Sequence, residues 1–218
     1  MTGEFNYPVT EGEPDFANMQ TDEPTPAFLR LFIAFAIPQN VQKVIGRAQS
    51  QLQRSSPRGA IRWTRPEQFH VTLKFLGDVP ATQVEALKVS VSPVCAGLPA
   101  LQLSAHGIGF FPNIQRPRVV WAGAGGDKGQ LVELHRQLDE AARPFAPAEK
   151  PERFTGHITL GRFKPGHPAA IDKLLARAKI HRQRHFGDWE AGQVDIFRSE
   201  LTSAGAMHSL FASFPLAG

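Results

Sequence analysis

The stretch FHVTLKFLG, Phe69 to Gly77, puts a histidine and a threonine two positions apart inside an apolar run, and GHITLGRFK, Gly156 to Lys164, repeats the arrangement 87 positions later. Both runs have the length and apolar content of buried strands, in which residues i and i+2 point to the same face. His70 therefore stands beside Thr72 and His157 beside Thr159, with Val71, Leu73, Ile158 and Leu160 on the opposite face. A single histidine in a strand is usually a satisfied structural residue. Two matched copies weigh differently, because eight histidines give roughly 0.4 His-x-Thr matches by chance.

The surroundings repeat as well. LRLFIAFAI, Leu29 to Ile37, reads as a buried strand, and QNVQKVIGRAQSQLQ carries Val41, Val44, Ile45, Ala48 and Leu52 at helical spacing. PRVVWA, Pro117 to Ala122, is a second apolar strand, followed by a glycine-rich turn and a helix with Leu131, Leu134, Leu138 and Ala142 on one face. Phe32 precedes His70 by 38 residues and Val119 precedes His157 by the same 38. Each half thus runs strand, helix, then a strand with His-x-Thr, the signature of a duplicated, two-lobed molecule. Helices are expected in ATQVEALKVSVSPV and AAIDKLLARAK, and strands in LQLSAHGIGFF, QVDIFRSEL and HSLFASFPL. The order is α+β without strict βαβ alternation.

Two imidazoles facing a common cleft divide acid-base labour: one takes a proton from a nucleophile while the other gives one to a leaving oxygen. Threonine hydroxyls beside them donate hydrogen bonds to phosphoryl oxygens as charge builds up. Arg162 is expected to curl into the cleft as its strand ends, and Lys74 to lie on a solvated flank. GAGGDKG, Gly123 to Gly129, lacks the Gly-Lys-Ser/Thr ending of a phosphate loop and reads as a turn. The cluster His181, Arg182, Arg184, His185 lacks a carboxylate or thiolate at ligand spacing and reads as a basic surface, facing RNA or solvent.

Charge points to a polyanion. All 24 Lys and Arg lie at or after Arg30, whereas six of the 20 acidic residues precede it. Such a basic body suits nucleic acid, though solvated surface charge is the plain alternative. Residues 1–27, acidic and proline-containing without apolar periodicity, read as a flexible tail ahead of a domain at 28–218. No secretory signal or membrane-spanning run is evident, and the single Cys95 suits a reducing compartment, so a cytoplasmic location with no membrane partner is expected.

From about Phe28 to Gly218 the chain resembles the two-histidine (2H) phosphoesterases, specifically the bacterial RNA 2′,3′-cyclic phosphodiesterases also called 2′-5′ RNA ligases. The matching pieces are RLFIAFAIP, IRWTRPEQFHVTLKFLGDV, GIGFFPNIQRPRVVWAG, RFTGHITLGRFK and SLFASFPL. The resemblance implies a bilobal, pseudo-symmetric fold of two antiparallel sheets flanking a central cleft with helices outside. It also implies that His70 is the proton donor, His157 the proton acceptor, and Thr72, Thr159 and Arg162 the phosphate contacts. Gly156 departs from the proline of many relatives, which bears on the local loop. The activity expected is hydrolysis of RNA 2′,3′-cyclic phosphate ends to 2′-phosphomonoesters, with no metal or cofactor, by a monomer, and with reversible 2′-5′ ligation as a second capacity. Phe110, Phe111 and Trp63 are candidates to stack on the terminal base, with core packing the equal alternative. The rival readings are a non-catalytic module that binds RNA ends and a metal-dependent phosphohydrolase using the histidines as ligands.

Overall fold

The computed structural model describes residues 27–146, 154–165, 171–202 and 205–217. All but the last residue of the expected acidic tail lie outside these. The first half runs β1 (Phe28–Ala36), α1 (Gln39–Arg54), β2 (Ile61–Trp63), β3 (His70–Pro80), α2 (Val84–Ala96) and β4 (Leu101–Phe111). The second runs β5 (Val119–Gly126), α3 (Lys128–Ala142), β6 (His157–Phe163), α4 (Asp172–Ile180), β7 (His185–Ala191), β8 (Gln193–Thr202) and β9 (Gly205–Pro215).

The two sheets expected from the sequence are joined into one curled antiparallel sheet, in the order β7-β4-β5-β6-β3-β1-β8-β9 with β2 added on β6. The seam is thin: β3 and β6 meet at the single pair Val71↔Ile158. On either side of it the pairs match at an offset of 87, with His70 opposite Ala36 and His157 opposite Gly123, Thr72 opposite Ala34 and Thr159 opposite Trp121. A local two-fold axis through the Val71–Ile158 pair therefore relates β3 and β1 to β6 and β5.

The helices cross over. α1 leaves β1 but packs against β7 and α4, while α3 leaves β5 but packs against β3 and α2. Each lobe thus supplies a helix that covers the other. The helical stripe foreseen in α1 is the buried one, with Val41, Ile45, Ala48 and Leu52 at 1% exposure or less; burying each large aliphatic side chain contributes about 1.5–3 kcal/mol. Cys95 sits in the same core with its thiol pushed up to about 12 by burial, as suits a packing role. Among the described residues no helix is long and apolar enough to cross a membrane.

Three expectations are corrected. Lys74 is no solvated flank: it is 7% exposed, and its Nζ lies 2.7 Å from Asp139 Oδ1 on α3. Gly123 to Gly126 belong to β5 rather than to a turn, and the helix starts at Lys128, two residues on. Gly123 and Gly125 are glycines because His106 on β4 lies across them: a Cβ on Gly123 would lie 2.8 Å from its carbonyl oxygen and one on Gly125 3.0 Å from its ring. His181 is buried at 1% exposure, its Nε2 hydrogen-bonded to Gln51 Oε1 at 3.0 Å, so only Arg182, Arg184 and His185 of that cluster reach the surface.

The Lys74–Asp139 pair joins the two lobes' elements across a partly buried boundary. The ammonium beside it holds Asp139 below the usual carboxylate range. Asp139→Asn is expected to destabilise by about 1–3 kcal/mol, because the ammonium stays buried without this carboxylate. Lys74→Met, which removes the buried charge itself, should cost less. Denaturant unfolding of the two variants checks the order. Because the folded pKa is depressed, the contribution of Asp139 is present above about pH 4. It fades as the pH falls through the folded value.

Candidate active site

The two His-x-Thr-Leu repeats end in the same irregularity. In β3 the pairs with β1 jump from Thr72↔Ala34 to Lys74↔Ile33, leaving Leu73 as a bulge, and in β6 the pairs with β5 jump from Thr159↔Trp121 to Gly161↔Val120, leaving Leu160. A bulge inserts one residue and reverses the alternation beyond it. Lys74 and Gly161 thereby turn to the core, and Phe75 and Arg162 to the face that carries the histidines. This is why Arg162 reaches the cleft despite lying an odd number of residues after His157. Gly161 has a further constraint, since a Cβ there would come within 2.7 Å of Ile61 and 3.0 Å of Trp63, the residues by which β2 lies beside β6.

At the seam Val71 and Ile158 are fully buried on the helix side. Their strand neighbours His70, Thr72, His157 and Thr159 therefore all project to the opposite face. Each ring is held in the same way: His70 Nδ1 lies 2.8 Å from Gln68 O, and His157 Nδ1 lies 2.8 Å from Thr155 O. A carbonyl only accepts, so Nδ1 carries the hydrogen in both, and each neutral ring presents the lone pair of Nε2. Neither threonine hydroxyl has an intramolecular hydrogen-bond partner among the described residues.

Burial pushes His70 down to about 4, opposed by its bond to Gln68 and aided by His208, His157 and Arg162. His157 is lowered as well, mainly by burial, with Arg162 adding to the effect. Both rings are therefore neutral near pH 7. An anion placed between them would reverse the balance by stabilising the imidazolium form.

The sequence did not single out three neighbours. His208 on β9 stands edge-on to His70 with ring centroids 5.4 Å apart, and both rings pack on Phe32, at 4.9 and 4.8 Å. Gln68 supplies the carbonyl that fixes His70, and with its side-chain amide turned over it bridges Ala206 O and the His208 backbone N–H. Trp121 stands 6.4 Å from the ring of His157. Nothing local marks these residues, because strand order alone brings them to the histidines. Of the stacking candidates, Phe111 meets His157 edge-on at 4.9 Å, whereas Phe110 and Trp63 pack against the core.

Across the sheet, directly opposed residues form two rows. On one lobe Phe75, Phe32, Phe197 and Leu210 succeed one another through β3, β1, β8 and β9. On the other the row is Phe111, Val119, Arg162 and Arg62 through β4, β5, β6 and β2. The first row is apolar throughout, whereas the second ends in two guanidinium groups.

Residues 35–121 match the family described as LigT like phosphoesterase. A Methanocaldococcus jannaschii protein named RNA 2′,3′-cyclic phosphodiesterase is 30% identical over 84% of this chain and 98% of its own length. One of the same name from Methanothermobacter thermautotrophicus is 30% identical over 86% and 99%. The crystal structure of TT0787 of Thermus thermophilus superimposes with a TM-score of 0.70 at 26% identity, over 87% of this chain and 99% of that one. E. coli LigT complexed with 3′-AMP shares the fold, with a TM-score of 0.69 at 20% identity over 88% and 99%. Relatives of this identity and span, on the same curled sheet, show that the chain belongs to the LigT-like phosphoesterase family and is an enzyme of the phosphoesterase class.

Proposed function

We propose that this enzyme hydrolyses RNA ends bearing a 2′,3′-cyclic phosphate to 2′-phosphomonoesters, with residues 28–218 as the catalytic unit. The observation that carries the reading is the pair of imidazoles, each fixed at Nδ1 and open at Nε2, on one face with two threonines and Arg162. The names of the relatives support the substrate class. Among the described residues no group of three or more His, Cys, Asp or Glu side chains is arranged to hold a metal ion. The groups gathered on the face are imidazoles, hydroxyls and a guanidinium, and the reading gives the chemistry to them.

In this mechanism the cyclic phosphate lies between the rings. His157, the less enclosed of the two, takes a proton from a water molecule that attacks phosphorus in line. His70 gives its proton to the departing 3′ oxygen, so the phosphorus bond to that oxygen breaks as the bond to water forms. Thr72, Thr159 and Arg162 stabilise the non-bridging oxygens. A ribose 5′-hydroxyl in place of water would leave a 2′-5′ linkage, the ligation capacity of the same geometry. His70 needs the bound anion to hold its proton, which ties protonation to substrate binding.

His70→Ala and His157→Ala are each expected to lower kcat by at least about 100-fold on a nucleoside 2′,3′-cyclic phosphate in excess chelator. The double variant should lose far less than the product of the two. Near-full activity in either folded single variant would end the division of labour, and a binding-only module would show no turnover to lose.

The pH profile follows from the lowered values. Both limbs of kcat/KM report the free enzyme and should lie below about 6.5, the ordinary imidazole value. Those of kcat should move upward, since the anionic phosphate favours the charged rings. Coincident limbs, or a flat profile from pH 5 to 9, would contradict the acid-base pair.

Thr72→Val and Thr159→Val keep the β-branched shape and remove the hydroxyl. Losses of roughly 10- to 1,000-fold in kcat are expected, on the scale of single oxyanion donors. Unchanged kinetics would reduce both threonines to strand formers.

A further inference from the structure

We propose that Arg62 binds the phosphodiester one nucleotide upstream of the reacting phosphate, so that the cleft recognises the end of an RNA strand rather than a lone cyclic nucleotide. The inference rests on the cyclic-phosphate reading above and adds a second anion site to it.

Beyond the Val71–Ile158 pair, β3 and β6 part, and the short strand β2 takes up the free edge of β6. Its central residue Arg62 is paired directly with Arg162. Directly opposed residues share a face and lie about 4.5–5.5 Å apart at their Cβ atoms, and like charges in that relation destabilise the pair. Two arginines elsewhere are held by carboxylates. Arg136 lies 2.6 Å from Glu133 and 3.3 Å from Glu140, and Arg198 lies 2.8 Å from Glu200. Among the described residues neither Arg62 nor Arg162 has a carboxylate within ion-pair distance. Two adjacent guanidiniums without acids on a helix-free face are matched by two anions.

The direction of the side chain separates the two. Arg162 is close enough to His70, His157 and His208 to disfavour their charging, so it belongs to the reacting phosphate. Arg62 is exposed, and its stem runs toward the start of β9, where a Cβ on Gly205 would lie 3.7 Å from Arg62 Cδ. Gly205 has a φ of +126°, so a side chain there would be strained. The stem of Arg62 is thus carried from the lobe of His157 toward the strand that bears His208, while its backbone lies one strand spacing, about 4.8 Å, from that of Arg162. Nucleic-acid backbones present successive phosphates to such pairs of cations, and arginine grips each through charge-assisted hydrogen bonds.

The test compares a nucleoside 2′,3′-cyclic phosphate lacking a 5′-phosphate, the same nucleotide carrying one, and a dinucleotide ending in a 2′,3′-cyclic phosphate, using the full chain. Arg62→Ala is expected to lower kcat/KM on the dinucleotide by about 10- to 100-fold, mainly through KM, as loss of a charge-assisted hydrogen bond does. The loss should exceed that on the unphosphorylated mononucleotide at least about fivefold. Arg62→Lys should restore part of it, and the salt dependence of oligonucleotide binding should become shallower by about 0.7 in log-log slope, one phosphate contact. A loss on the 5′-phosphorylated mononucleotide equal to that on the dinucleotide would overturn strand recognition in favour of a terminal phosphate site. Equal losses on all three substrates, or none on any, would overturn the second anion site while leaving the cyclic-phosphate reading intact. Failure of the unaltered protein to turn over any of the three would take down both.

Discussion

The histidine face depends on one backbone contact, the antiparallel pairing of Val71 with Ile158. Both side chains are fully buried against the helices, and the pleat then compels their neighbours to face the other way. Two imidazoles and two hydroxyls converge because each belongs to a strand whose central apolar residue cannot leave the core. Longer pairing would have flattened the sheet across the seam and filled the wedge that β2 now occupies. A single pair holds the strands together at the histidines and lets them part beyond.

That economy of contact at the seam is offset by the crossing of the helices. α1 and α3 each pack on the lobe opposite to the strand they follow. The lobes are thereby tied through the core as well as through the sheet, and the Lys74–Asp139 pair lies on this crossed boundary, between β3 and α3. A site built from one residue pair of each lobe requires such rigidity, since catalytic groups lose effect when displaced by even an ångström.

Much of this was legible in the chain. Period-two alternation placed His70 with Thr72 and His157 with Thr159, and the equal spacing of the halves gave the duplicated order of elements. What escaped were effects of register and of distant pairing. Strict alternation cannot foresee the bulges at Leu73 and Leu160, so Lys74 was expected in solvent, and the cleft position of Arg162 was anticipated without its cause. Gly123 and Gly125 of β5 looked like part of a turn because the residue they accommodate, His106, belongs to another strand. His208 and Arg62 were invisible for the same reason: each gains its meaning from a neighbour supplied by sheet order.

The local two-fold relation also shows where the duplicated halves have separated in chemistry. Phe75 and Arg162 occupy equivalent places, each just past a bulge and each opposite an equivalent residue, Phe32 or Val119. A phosphodiester between the histidines meets unlike surroundings on its two sides. Arg162 turns a guanidinium to the histidine face from the lobe of His157, while Phe32 and Phe197 of the other lobe pack on His70. Burial lowers both rings, His70 to about 4. Two rings with the same tether and the same tautomer thus have unlike neighbours: Phe32, Phe197 and His208 around one, Phe111 and Trp121 beside the other. In the proposed mechanism the more open ring meets water, and the enclosed ring holds a proton for the leaving oxygen only with the phosphate bound beside it.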